Sequence, residues 1–163
     1  MLSLRIRVET ETVAGAAAAT VGPVNHILHS MFNQIDVYFN QKFVSPPNNA
    51  YAYRAYIEAL LNYASPVKTS HLASWYNDTA RNMDALPTPY NHGLDKRAAF
   101  VQLGRTLDLV EDLHCDVFNQ DKFLISGVEV RMRLVRSKDS FCLMEGNTMS
   151  DARFRCYTTH QKS

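Results

Sequence analysis

Between Val24 and Tyr63 three hydrophobic periods follow one another with almost no slack, and that succession limits the folds open to the chain. Val24, Ile27, Leu28, Met31 and Phe32 recur at the spacing of one buried helical face. Ile35, Val37 and Phe39 then alternate with Asp36, Tyr38 and Asn40, the period of a half-buried strand. Tyr53, Tyr56, Ile57, Leu60 and Leu61 return to helical spacing after Pro46-Pro47-Asn48-Asn49. The pattern predicts helices over about Val24 to Phe32 and Ala50 to Tyr63, with Ile27, Leu28, Phe32, Ile57, Leu60 and Leu61 among the least accessible residues. A parallel sheet with flanking helices, or exposed Leu60 and Leu61, would overturn this fold reading, and Leu60→Ala is expected to cost roughly 2–5 kcal/mol.

Alternation marks the strands. Leu2, Leu4, Ile6 and Val8 interleave with Ser3, Arg5, Arg7 and Glu9, and Asn40-Gln41 turns the strand before it into Lys42-Phe43-Val44 as a hairpin. Residues 65–96, with Pro66, Pro87, Pro89, Gly93 and several Asn and Asp residues, read as loop. Further strands are expected from Ala99 and Val101, at His114 to Phe118, and most clearly where Val128, Val130, Met132 and Leu134 alternate with Glu129, Arg131, Arg133 and Val135. Phe141 to Met144 is a last apolar run, after which residues 145–163 lose the pattern and read as a poorly ordered tail. Short strands, two inserted helices and no βαβ alternation predict a mainly β antiparallel sandwich.

A chain of 163 residues with 46% hydrophobic and 20% charged residues suits one globular domain. Its net charge of +1 gives no bulk attraction to nucleic acid or acidic membranes, so nucleic-acid contact is expected to be at most non-specific. Cys115, Cys142 and Cys156 are odd in number and widely spaced, which favours free thiols in a reducing compartment. Charges interrupt the first apolar run, so no signal peptide is read there. The alanine-rich Val13 to Val21 falls short of the about 20 residues that cross a bilayer. The expected location is intracellular rather than secreted.

No catalytic, cofactor or metal set emerges from spacing. His26 and His29 share a predicted helix face, but no carboxylate or cysteine nearby in sequence completes a ligand set, so stoichiometric metal binding is not expected. His114-Cys115-Asp116 are neighbours that a strand would send to opposite faces. His-x-His and Gly-x-Gly are both absent, which removes cupin-type metal chemistry and phosphate loops. Arg5 and Arg7, with Arg131 and Arg133, would form a basic stripe if their strands adjoin. Of the tyrosines on the second helix, Tyr53 and Tyr56 fit the core, leaving Tyr51 and Tyr63 as candidates for a subunit interface.

Three segments together resemble a known family. They are Val24 to Phe32 leading into Gln34 to Asn40, then Tyr51 to Tyr63, then Asp116-Val117-Phe118 through Leu143-Met144, with Gly127 to Asp139 especially similar. In that order they resemble the N-terminal jelly roll of the double jelly-roll major capsid proteins of Polinton/Maverick transposable elements and adintoviruses. The resemblance implies a structural virion protein, not an enzyme, with a jelly-roll antiparallel sandwich over residues 1–144 and a divergent tail over 145–163. It implies self-association as a homotrimer, a pseudo-hexameric capsomer of an icosahedral shell, together with other capsid proteins. Against the family pattern the chain reads as truncated, lacking a strand before Leu2 and a second jelly roll. It is therefore expected to expose an open sheet edge beside Leu2 to Val8 or its neighbour. A genomic remnant of such a protein fits the same pattern. The alternative is a sandwich-type binding module in a host protein re-using the fold, with residues 65–96 as its recognition surface.

Overall fold

The computed structural model describes residues 2–10, 21–45, 48–63, 91–145 and 152–157. In chain order their elements are β1 (Leu2–Thr10), β2 (Val21–Pro23), α1 (Ile27–Ser30), β3 (Phe32–Phe39), β4 (Lys42–Phe43), α2 (Tyr51–Asn62) and α3 (His92–Val101). A 3-10 turn at Gln102–Gly104 comes next, then β5 (Thr106–Glu111), β6 (Val130–Arg136), α4 (Asp139–Cys142), β7 (Leu143–Glu145) and β8 (Ala152–Tyr157). The fold is mainly β, with every sheet antiparallel: β5-β1-β8, β2-β7 and β4-β3-β6.

Alternation builds the first sheet as the sequence predicts. Leu4, Ile6 and Val8 are buried while Ser3, Arg5 and Arg7 face solvent. Pairing Leu4 with Leu109 and Ile6 with Leu107 gives β5 the same phase, so that Leu107, Leu109 and Glu111 fall on one face. The β3–β4 hairpin also forms, through Asn40 and Gln41 at φ of 46° and 68°, the two positive angles of a turn that matches strand twist. The core joins β1, β5 and β3 to α1 through Ile6, Ile27, Leu28, Met31, Val37 and Leu109.

Several expectations are corrected. The helix expected over Val24 to Phe32 is a single turn: Pro23 lies in β2, His26 takes a left-handed conformation at φ 56°, and Phe32 opens β3. Its apolar spacing reports burial rather than helix length, since Ile27, Leu28, Met31 and Phe32 are all buried. α2 forms at nearly its expected bounds but turns the other way. Its buried face is Tyr51, Ala52, Ala55 and Ala59, whereas Ile57 is exposed, Leu60 is 41% exposed and Leu61 79%. Small alanines let the helix approach β3 and α1 closely, and the large residues are left outside. The packing prediction for Leu60 and Leu61 therefore fails.

The predicted strand from Ala99 and Val101 is instead the end of α3, which Asn91 caps by accepting a hydrogen bond from the Leu94 N–H at 3.3 Å. His114 to Phe118 is loop and turn after β5, not strand. The poorly ordered tail is corrected over 152–157, where β8 pairs with β1 from Arg5↔Tyr157 to Thr10↔Ala152. β1 is thus the middle strand of its sheet, and the open edge falls to its neighbours among the described residues. Within 65–96 only residues 91–96 are described, and His92 onward is helical.

α3 anchors the segment that leads into α1. It packs against β2 at Gly22, where a Cβ would stand 2.6 Å from Leu94 Cδ1. Its fully buried Arg97 donates from Nε to the Pro23 carbonyl and from Nη1 to Asn25 Oδ1, each at 2.7 Å. One cation thereby fixes the backbone on which His26 stands.

Candidate functional site

Four residues meet beneath α1: His26, His29, Glu111 and His114. The turn of α1 places His26 and His29 side by side, with ring centroids 4.3 Å apart. Glu111 arrives because it continues the inward phase of Leu107 and Leu109 at the end of β5. The chain then leaves the sheet, and the buried run Leu113-His114-Cys115 sets the His114 ring 4.7 Å from that of His29 and 5.6 Å from that of His26. One ligand-capable atom from each of the four lies within 4.8 Å of the others.

The surroundings orient two of these rings. His114 Nδ1 lies 2.8 Å from Glu58 Oε2, and Glu58 Oε1 accepts from Arg54 Nε at 2.7 Å. Arg54 also pairs with Asp116. His29 Nδ1 lies 2.8 Å from the Tyr51 hydroxyl, whose oxygen also accepts from the His114 backbone N–H at 3.4 Å. With Nδ1 so occupied in both rings, the Nε2 atoms of His29 and His114 turn inward, where neither has a hydrogen-bond partner. Glu111 Oε2 has none either, although His29 Nε2 stands 3.0 Å from it, and His26 Nε2 lies 3.4 Å from Oε1.

Burial disfavours the charged imidazolium and holds the pKa values of His26, His29 and His114 below the ordinary histidine value, outweighing their carboxylate neighbours. Burial works against the Glu111 carboxylate too, but attraction to the adjacent His26 and His29 ring nitrogens overcomes it and brings Glu111 down to about 2. Burial thus favours the neutral form of the three imidazoles, while the ring contacts favour the ionised form of Glu111. Burial raises the Cys115 thiol and Tyr51, the latter well above the ordinary phenol, so neither is an activated nucleophile.

The expected site residues fall elsewhere or change role. Tyr51, expected at an interface, is 5% exposed and belongs to the buried network, because its face of α2 is the alanine face. Tyr63 is partly exposed at the end of α2, and the core role given to Tyr53 is reversed by its exposure. Arg5 and Arg7 stand on β1, whereas Arg131 and Arg133 stand on β6 in a different sheet, so these four do not form one basic stripe. Arg5 is engaged by Asp108 at 2.6 and 3.0 Å, and Arg131 lies over the Tyr38 ring. Spacing singles out His26 and His29, but the lack of a completing carboxylate nearby in sequence is corrected in space by Glu111, with His114 beside it. Their signal is present in the chain: Leu107-x-Leu109-x-Glu111 is an alternating run ending in an acid.

Cys115 is a free, buried thiol, and the buried Cys142 donates from Sγ to the Ser30 carbonyl at 3.3 Å. Among the described residues no helix is long and apolar enough to cross a membrane. No family model matches the chain, and neither a curated protein nor a solved structure matches it significantly.

Proposed function

We propose that this chain is a structural capsid protein, the N-terminal jelly roll of a double jelly-roll subunit whose product is an assembled shell. The observation that carries the reading is apolar surface left outside a domain that already owns a closed core. Ile57 and Leu61 stand one turn apart on the outer face of α2, next to Tyr53. A second exposed run, Phe123-Leu124-Ile125, lies beyond the site loop. Contiguous exposed apolar groups mark surfaces made to be covered by another chain. The failed burial of Leu60 and Leu61 removes a packing argument for this reading and supplies an interface argument in its place. The antiparallel sheets agree with a sandwich, and the three resembling segments give the sandwich its capsid interpretation.

Mass photometry and negative-stain electron microscopy of the purified chain test the proposal. Discrete trimers, or ordered higher assemblies, are the expected result, and Ile57→Ser with Leu61→Ser should dissociate them. A clean monomer across a hundredfold concentration range would overturn it.

A further inference from the structure

We propose that His26, His29, Glu111 and His114 form a structural site for a divalent transition-metal ion, zinc in the first instance. The donor set is three imidazole nitrogens and one carboxylate oxygen, the ligand types that zinc takes in four-coordinate sites. Ligand bonds of about 2.0–2.2 Å put neighbouring donor atoms about 3.3–3.6 Å apart in a tetrahedron. The observed spread, no pair beyond 4.8 Å, is within a small side-chain contraction of that figure.

Proximity alone does not make a metal site, since buried histidines and glutamates also hydrogen-bond one another. Two further observations separate the readings. The Nε2 atoms of His29 and His114 and Glu111 Oε2 are buried with no hydrogen-bond partner, even though His29 Nε2 stands 3.0 Å from Glu111 Oε2. Buried donor atoms gathered within 4.8 Å and left without partners hold unused ligand capacity that one ion among them would satisfy. The second observation lies behind them. Glu58 holds His114 Nδ1 and Tyr51 holds His29 Nδ1, the outer hydrogen bonds that orient metal-bound imidazoles and leave Nε2 as the ligand atom.

The donor set is that of a structural ion. A cavity of about 50 Å³ touches His114 beside Tyr51 and Arg54, but His26, His29 and Glu111 do not line it. Four protein donors with no open position suit a structural ion. Such an ion would staple α1 to the end of β5, two segments 85 residues apart at His26 and Glu111, and is indifferent to the function proposed above.

Elemental analysis of the full chain, expressed with zinc present and purified without chelator, gives the first readout, with one equivalent per chain expected. The chelator-stripped protein is then titrated with zinc, with thermal unfolding followed, and with cobalt(II), whose visible absorption reports tetrahedral nitrogen–oxygen coordination. Zinc should restore several degrees lost on stripping. Glu111→Gln and His114→Gln should each weaken zinc binding at least a hundredfold. Glu58→Gln, which lies outside the donor set, should weaken it about tenfold to a hundredfold while keeping one-to-one stoichiometry. The stripping and re-addition cycle uses the native chain, so a variant that fails to fold does not shield the proposal. Metal below a tenth of an equivalent with no thermal response to zinc, or wild-type affinity in a folded Glu111→Gln, would overturn it.

Discussion

The ground beneath α1 and the outer face of α2 invert the usual arrangement of a small domain. Beneath α1 the interior is polar, with three histidines and Arg97 buried among aliphatic neighbours. On α2, Ile57 and Leu61 face solvent while Ala52, Ala55 and Ala59 face the core. The same helix serves both regions, because Tyr51 and Glu58 reach inward to the histidines. Polar groups buried in number need specific partners or they destabilise, so the inner region is built for fixed geometry. Apolar groups on the surface need only cover, so the outer region is built for association.

Arg97→Ala should have the largest effect on that contrast. It removes the charge-assisted hydrogen bonds to the buried Pro23 carbonyl and the half-buried Asn25 amide oxygen and leaves both acceptors without that donor. The expected cost is about 3–5 kcal/mol, read from urea unfolding. A loss below about 1 kcal/mol would mean that the polar interior is loosely held, and the comparison would break. Ala55→Leu comes next. Ala55 has no exposed surface, and a larger side chain must push α2 from its neighbours, at about 1–3 kcal/mol.

The parts of this arrangement that are legible from the sequence are the local ones. The phase of β1, the Asn40-Gln41 turn and the bounds of α2 follow from alternation, turn chemistry and helical spacing within a few residues of each position. The orientation of α2 is not legible. A helix with alanines on one side and leucines on the other is read with the leucines inward, since larger residues bury more apolar area. Close approach to α1 and β3 favours the alanines instead, and that is a tertiary fact. α3 escapes for a related reason: its inner face is Leu94, Ala98 and Val101 around a buried arginine, which presents little apolar period. The four-residue centre is half legible. His26 and His29 are neighbours along the chain, but Glu111 reaches them only because β5 pairs with β1 in one register.

Leu60 and Leu61 sharpen the other half of the comparison at smaller cost. With Leu60 at 41% exposure, Leu60→Ala loses the cost of a core leucine and falls to about 1 kcal/mol or less. Leu61→Gln should leave the unfolding free energy within about 0.5 kcal/mol of the native chain. Its effect should appear in self-association, measured by sedimentation velocity. Loss of stability without loss of association would return Leu61 to the core and remove the interface reading of α2.

The smallest effect is expected at Arg5 and Asp108, a polar contact on the solvent side of the β1–β5 sheet. The hydrogen bond between them raises Arg5 and lowers Asp108, with bonds of 2.6 and 3.0 Å. A lowered carboxylate pKa stabilises the fold above the ordinary carboxylate range and loses that contribution as the pH falls through the folded value. Both side chains are largely in solvent, however, where screening and side-chain entropy cancel most of the gain. Arg5→Ala should therefore leave the thermal midpoint unchanged at neutral pH, and its acid unfolding curve should overlay that of the native chain. Arg97 and Arg5 each make two hydrogen bonds at similar distances, Arg5 to a carboxylate and Arg97 to neutral oxygens, so a larger loss at Arg97 in spite of its weaker acceptors would point to burial. Equal losses would show that burial is not what gives the region beneath α1 its hold on the fold.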